Sequence, residues 1–395
     1  MLLRTFSATL SALTMLACVA PTSQLGKISP EVIKAEQLKQ QKLVITSSLA
    51  EQRRLENIAY PMLRMATPLC GKWVTTRSGL TVLNIHAWTR DYQEAAHALG
   101  FSDTLSVIGV VTGSSAQRSG FLVGDKLVWI AGKNAPIGRT ATLEFSKCVT
   151  PPIKTRGVLP LASEPLNIDV SRQAAESPTF SQVQLAMPPD TVCAYGSMVV
   201  KDDMLNAWAD GQQIVVTTAM IRFTGTDDGL AVVVAHEIAH NAMRHIDAKK
   251  KNATEGALFF AILDIAAATQ GINSGGDFTN SGAAIGAMTY SQDCEREADY
   301  IGMYILARSG RTFTEAPNFW RRMAQESPGS IKYASSHPTT AERFVRLEQA
   351  AEEIKRKQAV DEALLPAKAH AGSRPSRRAR APSAVSAPPL PTTHR

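Results

Sequence analysis

The fold is decided by residues 230–240, which read Leu-Ala-Val-Val-Val-Ala-His-Glu-Ile-Ala-His. Because six apolar residues precede His236, the segment predicts a helix that is buried on most sides. Imidazole and carboxylate groups are costly in such a place unless they are paired or bound to a metal. At 3.6 residues per turn, His236 and His240 share one face, and Glu237 lies roughly 100° round the helix from His236.

This His-Glu-x-x-His spacing is typical of hydrolytic zinc sites, in which the acid beside the two ligands activates a water molecule. The alternatives are a chance occurrence and a structural zinc. A structural site is usually closed by four protein ligands, often cysteines, and does not need an acid in this position. We therefore predict one Zn²⁺ per chain, with His236 and His240 as ligands and Glu237 as general base.

The third ligand must come from elsewhere in the chain. The longer pattern with a third histidine fails, because Met243 and Ile246 stand where glycine and histidine are required. His245 lies five residues after His240, which is roughly 140° from the ligand face of a continuing helix. A structural role is therefore expected for His245.

A second predicted helix begins at Cys294 and stops at Gly310, and it supplies the missing carboxylate. Glu295 and Asp299 are four residues apart and share a face. Glu295 is the predicted third zinc ligand, and Asp299 is predicted to orient a ligand histidine through its other ring nitrogen. Glu297 is expected to point away, either into solvent or into a salt bridge.

These residues resemble the gluzincin peptidases of the HtpX and BepA type, metallopeptidase family forty-eight. The resemblance covers roughly residues 186–350. Its motifs are Asn206–Ala209, the strand 213–218, Leu230–His245, Glu295–Asp299, Ser336-His337-Pro338 and Glu342-Arg343.

The resemblance implies zinc ligands at His236, His240 and Glu295, and an edge strand before the first helix, Ile214–Thr218, on which extended substrate would lie. His337 is a candidate additional ligand or gate, with a helix-start residue as the plain alternative. Either Arg343 or His337 is a candidate for steadying the oxyanion.

Residues near 76–185 have the strands and glycine turns of a separate β-rich module. They resemble a bacterial PDZ domain, and such domains bind an extended chain end by adding it to a sheet edge. The motifs are Gly113–Ala116, Ser119–Phe121, Gly124–Leu127 and Ile130–Lys133.

The first twenty residues are typical of an export signal, with Arg4 before an apolar stretch. Met15-Leu16-Ala17-Cys18 resembles a lipoprotein box, in which Cys18 is lipidated and becomes the mature N-terminus. The alternative is a plain secreted protein that loses Cys18 with the signal. Both alternatives predict a periplasmic location in a Gram-negative bacterium, and lipidation would anchor the chain to the membrane.

The remaining four cysteines allow up to two disulfides in an oxidising compartment, with three possible connectivities. Cys70 and Cys193 bracket the β-rich module, so a bridge between them would tie its two ends together. Cys148 and Cys294 are the other two, and Cys294 is expected to be buried.

Ser29-Pro30-Glu31 is a helix start, and the helix is expected to continue towards Tyr60. Residues 257–268 are apolar except for Asp264 and too short to span a bilayer, which leaves a buried helix or a membrane-touching hairpin. The Gly, Ser and Asn-rich stretch before Gln292 is expected to be mobile.

The formal charge is +7, and six Lys and Arg residues without any acid lie in the tail 366–395. This Pro, Ala and Arg-rich tail is predicted to be disordered, and the remaining chain is nearly neutral. We therefore expect no nucleic-acid partner.

The predicted fold class is α+β: a mainly helical zincin-type metalloprotease domain with a small edge sheet, plus a small β-rich PDZ-like domain. The predicted boundaries are 1–20 for the signal or lipoprotein segment, 21–75 for an N-terminal helical segment, 76–185 for the PDZ-like domain, 186–352 for the zinc metallopeptidase domain and 353–395 for a helix end and the tail.

The predicted function is a zinc-dependent endopeptidase of the bacterial envelope that cleaves extended or misfolded proteins in quality control. Its partners would be protein or peptide substrates and, through lipidated Cys18, the membrane. The alternative is a PDZ-bearing envelope chaperone or scaffold with a vestigial zinc site. The complete set of ligands and base argues against that alternative.

Overall fold

The computed structural model describes residues 26–149, 164–174, 179–248, 277–326 and 341–367, with backbone alone for 277–291. Five predictions concern residues outside these ranges: the export signal 1–20, lipidation of Cys18, the apolar segment 257–268, the role of His337, and the tail from residue 368 onward.

The described chain is a mixed α+β fold. Its helices are α1 (Pro30–Met65), α2 (Gln93–Ala98), α3 (Ser115–Arg118), α4 (Ala141–Val149), α5 (Thr218–Thr224), α6 (Asp227–Ala242), α7 (Asp277–Arg308), α8 (Ala316–Glu326) and α9 (Ala341–Ala359). Its strands are β1 (Val74–Arg77), β2 (Leu80–Leu83), β3 (Ser106–Val110), β4 (Lys126–Ile130), β5 (Lys133–Asn134), β6 (Leu166–Gln173), β7 (Phe180–Met187), β8 (Asp190–Cys193), β9 (Gly196–Val200), β10 (Ala207–Ala209) and β11 (Gln213–Thr217).

Helix α1 begins where the sequence predicts, because the Ser29 hydroxyl accepts a hydrogen bond from the Val32 amide at 3.5 Å. It extends beyond Tyr60 to Met65. Ile45 and the residues around Leu55 are buried, whereas Val32 and Leu43 are exposed. The helix therefore packs against two separate parts of the hydrophobic core and leaves its first turns in solvent.

Helix α6 lies at the centre of the larger hydrophobic core, and every residue from Gly229 to Ala242 is buried. The hydroxyl of Thr226 caps its first turn by accepting from the Gly229 amide at 3.1 Å. Helices α1, α7 and α8 pack against it, and α9 packs on α7 and α8. This burial follows from the apolar residues that precede His236.

A three-stranded sheet with the order β10-β11-β9 covers α6. Strand β11 pairs antiparallel with β10 and parallel with β9, so it is the central strand. The prediction that Ile214–Thr218 forms an edge was wrong. All residues from Ile214 to Thr217 are buried, and the apolar run Ile214–Val216 is typical of a strand flanked on both sides.

The β-rich unit, which runs from β2 to β7, has its own hydrophobic core. Its sheet has the order β2-β3-β4-β6-β7, and β5 pairs with β4. The turn at Gly124-Asp125 is fixed by the buried Asp125 carboxylate, which accepts two hydrogen bonds of 2.7 Å from Arg172. The chain enters and leaves this unit through β1 and β8, which pair with each other.

A disulfide joins Cys70 to Cys193 beside this two-stranded ribbon, with the Cα atoms 5.9 Å apart. The predicted tie between the two ends of the β-rich module is confirmed. Cys148 is exposed, and Cys294 is half-buried instead of buried. Cys294 lies on α7, one position before the predicted ligand Glu295.

Helix α7 begins at Asp277, so part of the Gly, Ser and Asn-rich stretch that was expected to be mobile is helical. It ends at Arg308, and Gly310 follows with the positive φ of 69° that suits a helix stop. Among the described residues, no helix is both long enough and apolar enough to cross a membrane.

Candidate metal centre

Two helices bring the predicted ligands together. His236 and His240 lie on α6, and Glu295 lies on α7, which packs along α6. All three side chains are buried, with exposed fractions of 2%, 7% and 7%. Their ligand atoms lie within 4.8 Å of one another.

The three donor atoms form a small triangle. His236 Nε2 lies 3.1 Å from His240 Nε2 and 3.1 Å from Glu295 Oε2, and His240 Nε2 lies 3.3 Å from Glu295 Oε1. Bonds of about 2.0 to 2.1 Å to a tetrahedral zinc place neighbouring donors about 3.3 Å apart. The residues therefore fit a zinc ion at this position.

The second nitrogen of His236 is engaged as predicted. Its Nδ1 lies 3.0 Å from Asp299 Oδ1, which leaves Nε2 directed at the donor triangle. Burial opposes a charge on His236, but the hydrogen bonds and charges of Asp299 and Glu295 outweigh burial and raise its pKa to about 9 in the metal-free protein. A cation is thus favoured between these acids.

Arg343 on α9 holds Asp299 in place. Its Nε and Nη2 each donate a 2.7 Å hydrogen bond to one carboxylate oxygen, and both side chains are buried. The guanidinium also stacks on Trp320, 3.7 Å from the ring centre, and Trp320 in turn contacts His236 edge to face. Arg343 therefore supports a ligand from behind, which differs from the oxyanion role considered from the sequence.

His240 has a partner that the sequence did not predict. Its Nδ1 lies 3.0 Å from Nδ1 of His245, and Nε2 of His245 lies 3.0 Å from Glu297 Oε2. The expected salt bridge of Glu297 is thus formed, although it leads back towards the metal site. Burial lowers the pKa of His240, since its neighbours offer less compensation than those of His236.

Glu237 lies between the two histidines along α6 and is buried, with 2% of its surface exposed. Its helix position puts its carboxylate beside the ligand face instead of on it. The role of Glu237 as general base stays a prediction from this spacing.

Asn241 joins the metal helix to the sheet. Its side-chain oxygen accepts from the Gly211 amide at 2.8 Å, and its side-chain nitrogen donates to the Gln213 carbonyl at 3.1 Å. The turn between β10 and β11 is therefore fixed to the residue next to His240. The sequence shows an asparagine directly after the second histidine. Its partners Gly211 and Gln213 lie 30 and 28 residues away, so the sequence did not reveal this contact.

A buried pair of histidines four residues apart, a carboxylate from a second helix and an adjacent buried glutamate define a zinc metallopeptidase of the gluzincin type. Residues 176–351 match the model of Peptidase family M48. The matched segment is similar to the metallopeptidase domains of that family, and it contains His236, His240 and Glu295, which together could hold a metal ion.

Several curated proteins are similar to this chain over the same region. The beta-barrel assembly-enhancing protease of Yersinia pestis is 33% identical over 148 residues, which is 35% of this chain and 29% of the relative. The mitochondrial metalloendopeptidase OMA1 of Schizosaccharomyces pombe is 30% identical over 156 residues, 38% of this chain and 45% of the relative. The chain thus spans less than half the length of these relatives.

Proposed function

We propose that the chain is a zinc-dependent endopeptidase of the bacterial envelope that cleaves extended or misfolded proteins in protein quality control. The observation that carries this proposal is the convergence of three buried donors with Glu237 on the same helix. Among the described residues three protein ligands converge at this buried site. Three protein ligands are typical of a catalytic zinc, because a structural zinc has four.

A bound zinc would supply a Lewis acid that polarises the peptide carbonyl and lowers the pKa of a water molecule. Glu237 takes the proton of that water as general base and passes it to the leaving amine as general acid. Asp299 and Arg343 keep His236 oriented during this exchange. Burial of the site excludes bulk water from these hydrogen bonds.

Substrate would bind along β10 and not along β11. Strand β10 is an outer strand of its sheet and packs against α6 beside the ligands. An extended peptide that pairs with β10 makes main-chain hydrogen bonds, so it is held with little regard to its sequence. Such tolerance suits unfolded protein substrates. The clamp of Asn241 on the adjoining turn keeps this strand at a fixed distance from His240.

The disulfide between Cys70 and Cys193 supports an envelope location, because disulfides persist in oxidising compartments such as the periplasm. The export signal and Cys18 of the lipoprotein box point to the same compartment.

The β-rich unit, predicted as residues 76–185, would capture a chain end of the substrate as a PDZ-like module. Its separate core, its antiparallel sheet and the short helices α3 and α4 support this assignment. Its outer strands β2 and β7 are the edges to which a peptide would add.

The deciding experiment is casein digestion by the purified protein, with and without a chelator, together with zinc analysis of Glu237→Gln. This substitution should retain zinc and lower proteolysis by about a hundredfold to ten-thousandfold, because only the proton transfer is lost. The control Glu295→Ala should lose the metal as well. Wild-type-like cellular function of Glu237→Gln would instead favour the scaffold with a vestigial site.

A further inference from the structure

The two zinc-binding histidines are supported in different ways. His236 contacts the carboxylate of Asp299 directly, whereas His240 contacts a second imidazole, that of His245, which in turn contacts Glu297. His245 is buried, with 4% of its surface exposed, so its two hydrogen bonds are shielded from water. The position of the proton on the His245 ring decides whether each ring nitrogen donates or accepts in these two hydrogen bonds.

One arrangement of protons satisfies the whole chain of contacts. When Nε2 of His240 is a metal ligand, its remaining proton lies on Nδ1 and is donated to Nδ1 of His245. Nδ1 of His245 must then be unprotonated, so the proton of this neutral ring lies on Nε2 and is donated to Glu297. The negative charge of Glu297 makes Nδ1 of His245 a stronger acceptor. The hydrogen bond from Nδ1 of His240 to this acceptor in turn makes Nε2 of His240 a stronger metal ligand.

The backbone explains how His245 reaches His240. Helix α6 ends at Ala242, and Arg244 adopts a φ of 62°, which is uncommon for a residue other than glycine. The guanidinium of Arg244 stacks on Trp73, 4.1 Å from the ring centre, which holds this turn. Because the chain bends back at this turn, the side chain of His245 contacts His240. On a continuing helix it would lie roughly 140° from the ligand face.

We propose that His245 and Glu297 are positioning residues for the zinc ligand His240, and that they act in series. Glu297 acts on the metal site only through His245, and His245 fixes the ring of His240 and raises the basicity of its Nε2. This inference rests on the metal site of the proposed function. It adds a second support from α7, since Glu295, Glu297 and Asp299 all lie on that helix.

The test measures the zinc affinity of the full chain at pH 7 by competition with a chromophoric chelator. His245→Leu should weaken zinc binding by about tenfold to a hundredfold, the usual effect of removing such a partner. His245→Asn, whose amide oxygen replaces Nδ1 as acceptor, should recover part of this loss. Glu297→Gln should weaken binding by about threefold to tenfold, because that side chain is 54% exposed.

The arrangement in series is tested by the double variant. If Glu297 acts only through His245, then Glu297→Gln should cause no further loss of affinity in the His245→Leu background. Asp293→Asn is the matched control, since it removes a carboxylate from the same helix that pairs with Arg296 and not with a ligand histidine. The control should bind zinc as the wild type does.

Substitution with cobalt gives a second readout. The visible absorption of the Co²⁺ protein should change in His245→Leu and in Glu297→Gln, and it should stay unchanged in Asp293→Asn, because the spectrum reports ligand geometry. Unchanged zinc affinity in both Glu297→Gln and His245→Leu, or additive losses in the double variant, would overturn the proposal. Should His245→Leu fail to fold, Glu297→Gln at its half-exposed position decides alone. A wild-type protein without zinc affinity would instead refute the proposed function.

Discussion

Gly302 on α7 lies directly against the backbone of Ala235 on α6. A β-carbon at position 302 would stand 3.4 Å from the carbonyl carbon of Ala235 and 3.4 Å from the amide nitrogen of His236. The two helices that carry the metal ligands therefore approach backbone to backbone at this point. Since Glu295 lies two turns earlier on α7, this contact helps to set its distance from the imidazoles.

Gly302→Val should weaken zinc binding and lower stability. The branched side chain cannot fit between the helices without moving them apart, and such overpacking costs about 1 to 3 kcal/mol. The separation would enlarge the triangle of donor atoms, so we expect a loss of about tenfold or more in zinc affinity. Zinc titration and thermal unfolding with and without chelator measure the two effects.

Gly302→Ala is the matched control for this substitution. Its β-carbon would be at the limit of van der Waals contact, and alanine favours the helix by about 1 kcal/mol over glycine. Its zinc affinity should therefore stay near that of the wild type. Equal affinities of the valine variant and the wild type would show that the helix spacing does not control the site.

The sequence predicts the residues of the site better than the way the chain assembles them. The spacing of His236 and His240 and that of Glu295 and Asp299 are local helical periodicities, which a single segment reveals. Strand β11 pairs with two neighbours, and no pattern within a single segment reveals which strands pair. The prediction therefore placed β11 at the edge of the sheet, where the structure has β10. The position of His245 depends on the left-handed backbone at Arg244, which no local pattern signalled.

Replacing Cys70 and Cys193 by serine should lower the free energy of unfolding by about 2 to 4 kcal/mol. The bridge closes a segment of 123 residues and restrains the unfolded chain. Urea unfolding of the double variant should match that of the reduced wild type. If reduction leaves the wild-type midpoint unchanged, the restraint contributes nothing to stability.

Glu353 on α9 should make stability depend on pH. Burial favours its protonated form, but hydrogen bonds of 2.7 and 2.9 Å from Tyr304 and Tyr300 and the charge of Lys357 outweigh burial and lower its pKa. A lowered pKa in the folded state gives stability that is present above the unfolded-state value of 4.5 and is lost as the pH falls through the folded-state value.

Glu353→Gln should therefore destabilise the chelator-treated protein by about 1 to 2 kcal/mol at pH 7 and by much less in acid. The difference in unfolding free energy between the variant and the wild type should shrink as the pH falls below 4.5. Glu352→Gln, at an exposed position of the same helix, is the control and should show no such trend. A constant difference at every pH would contradict the assignment.

Arg343→Met should destabilise the protein by about 3 to 5 kcal/mol, because it removes the guanidinium that makes two hydrogen bonds to the buried carboxylate of Asp299. Burial opposes the charge of Asp299, yet Arg343 and His236 lower its pKa, so the acid stays charged only while they are present. Adding Asp299→Asn should recover much of this loss in urea unfolding with chelator. A double variant less stable than Arg343→Met would show that charge compensation is not the cause.

The orientation of β10 makes the proposed substrate edge testable without touching the metal site. The Thr217 amide donates to the Asn206 carbonyl at 3.1 Å, and the Asp210 amide donates to the Gln213 carbonyl at 3.2 Å. In an antiparallel strand, the backbone N–H and C=O groups of successive residues point alternately towards one neighbouring strand and towards the other side. Asn206 and Asp210 bond to β11, so Ala209 directs its N–H away from β11, to the open side of the sheet.

Ala209→Pro should therefore remove one hydrogen-bond donor for substrate while leaving the pairing with β11 intact. Loss of a bond worth about 1 kcal/mol should lower kcat/KM for casein by about fivefold, with zinc content unchanged. Ala209→Ser retains the N–H and changes the side chain, so it should digest casein as the wild type does. If Ala209→Pro cleaves casein at the wild-type rate, the N–H of residue 209 does not bind substrate. The substrate must then lie somewhere other than along β10.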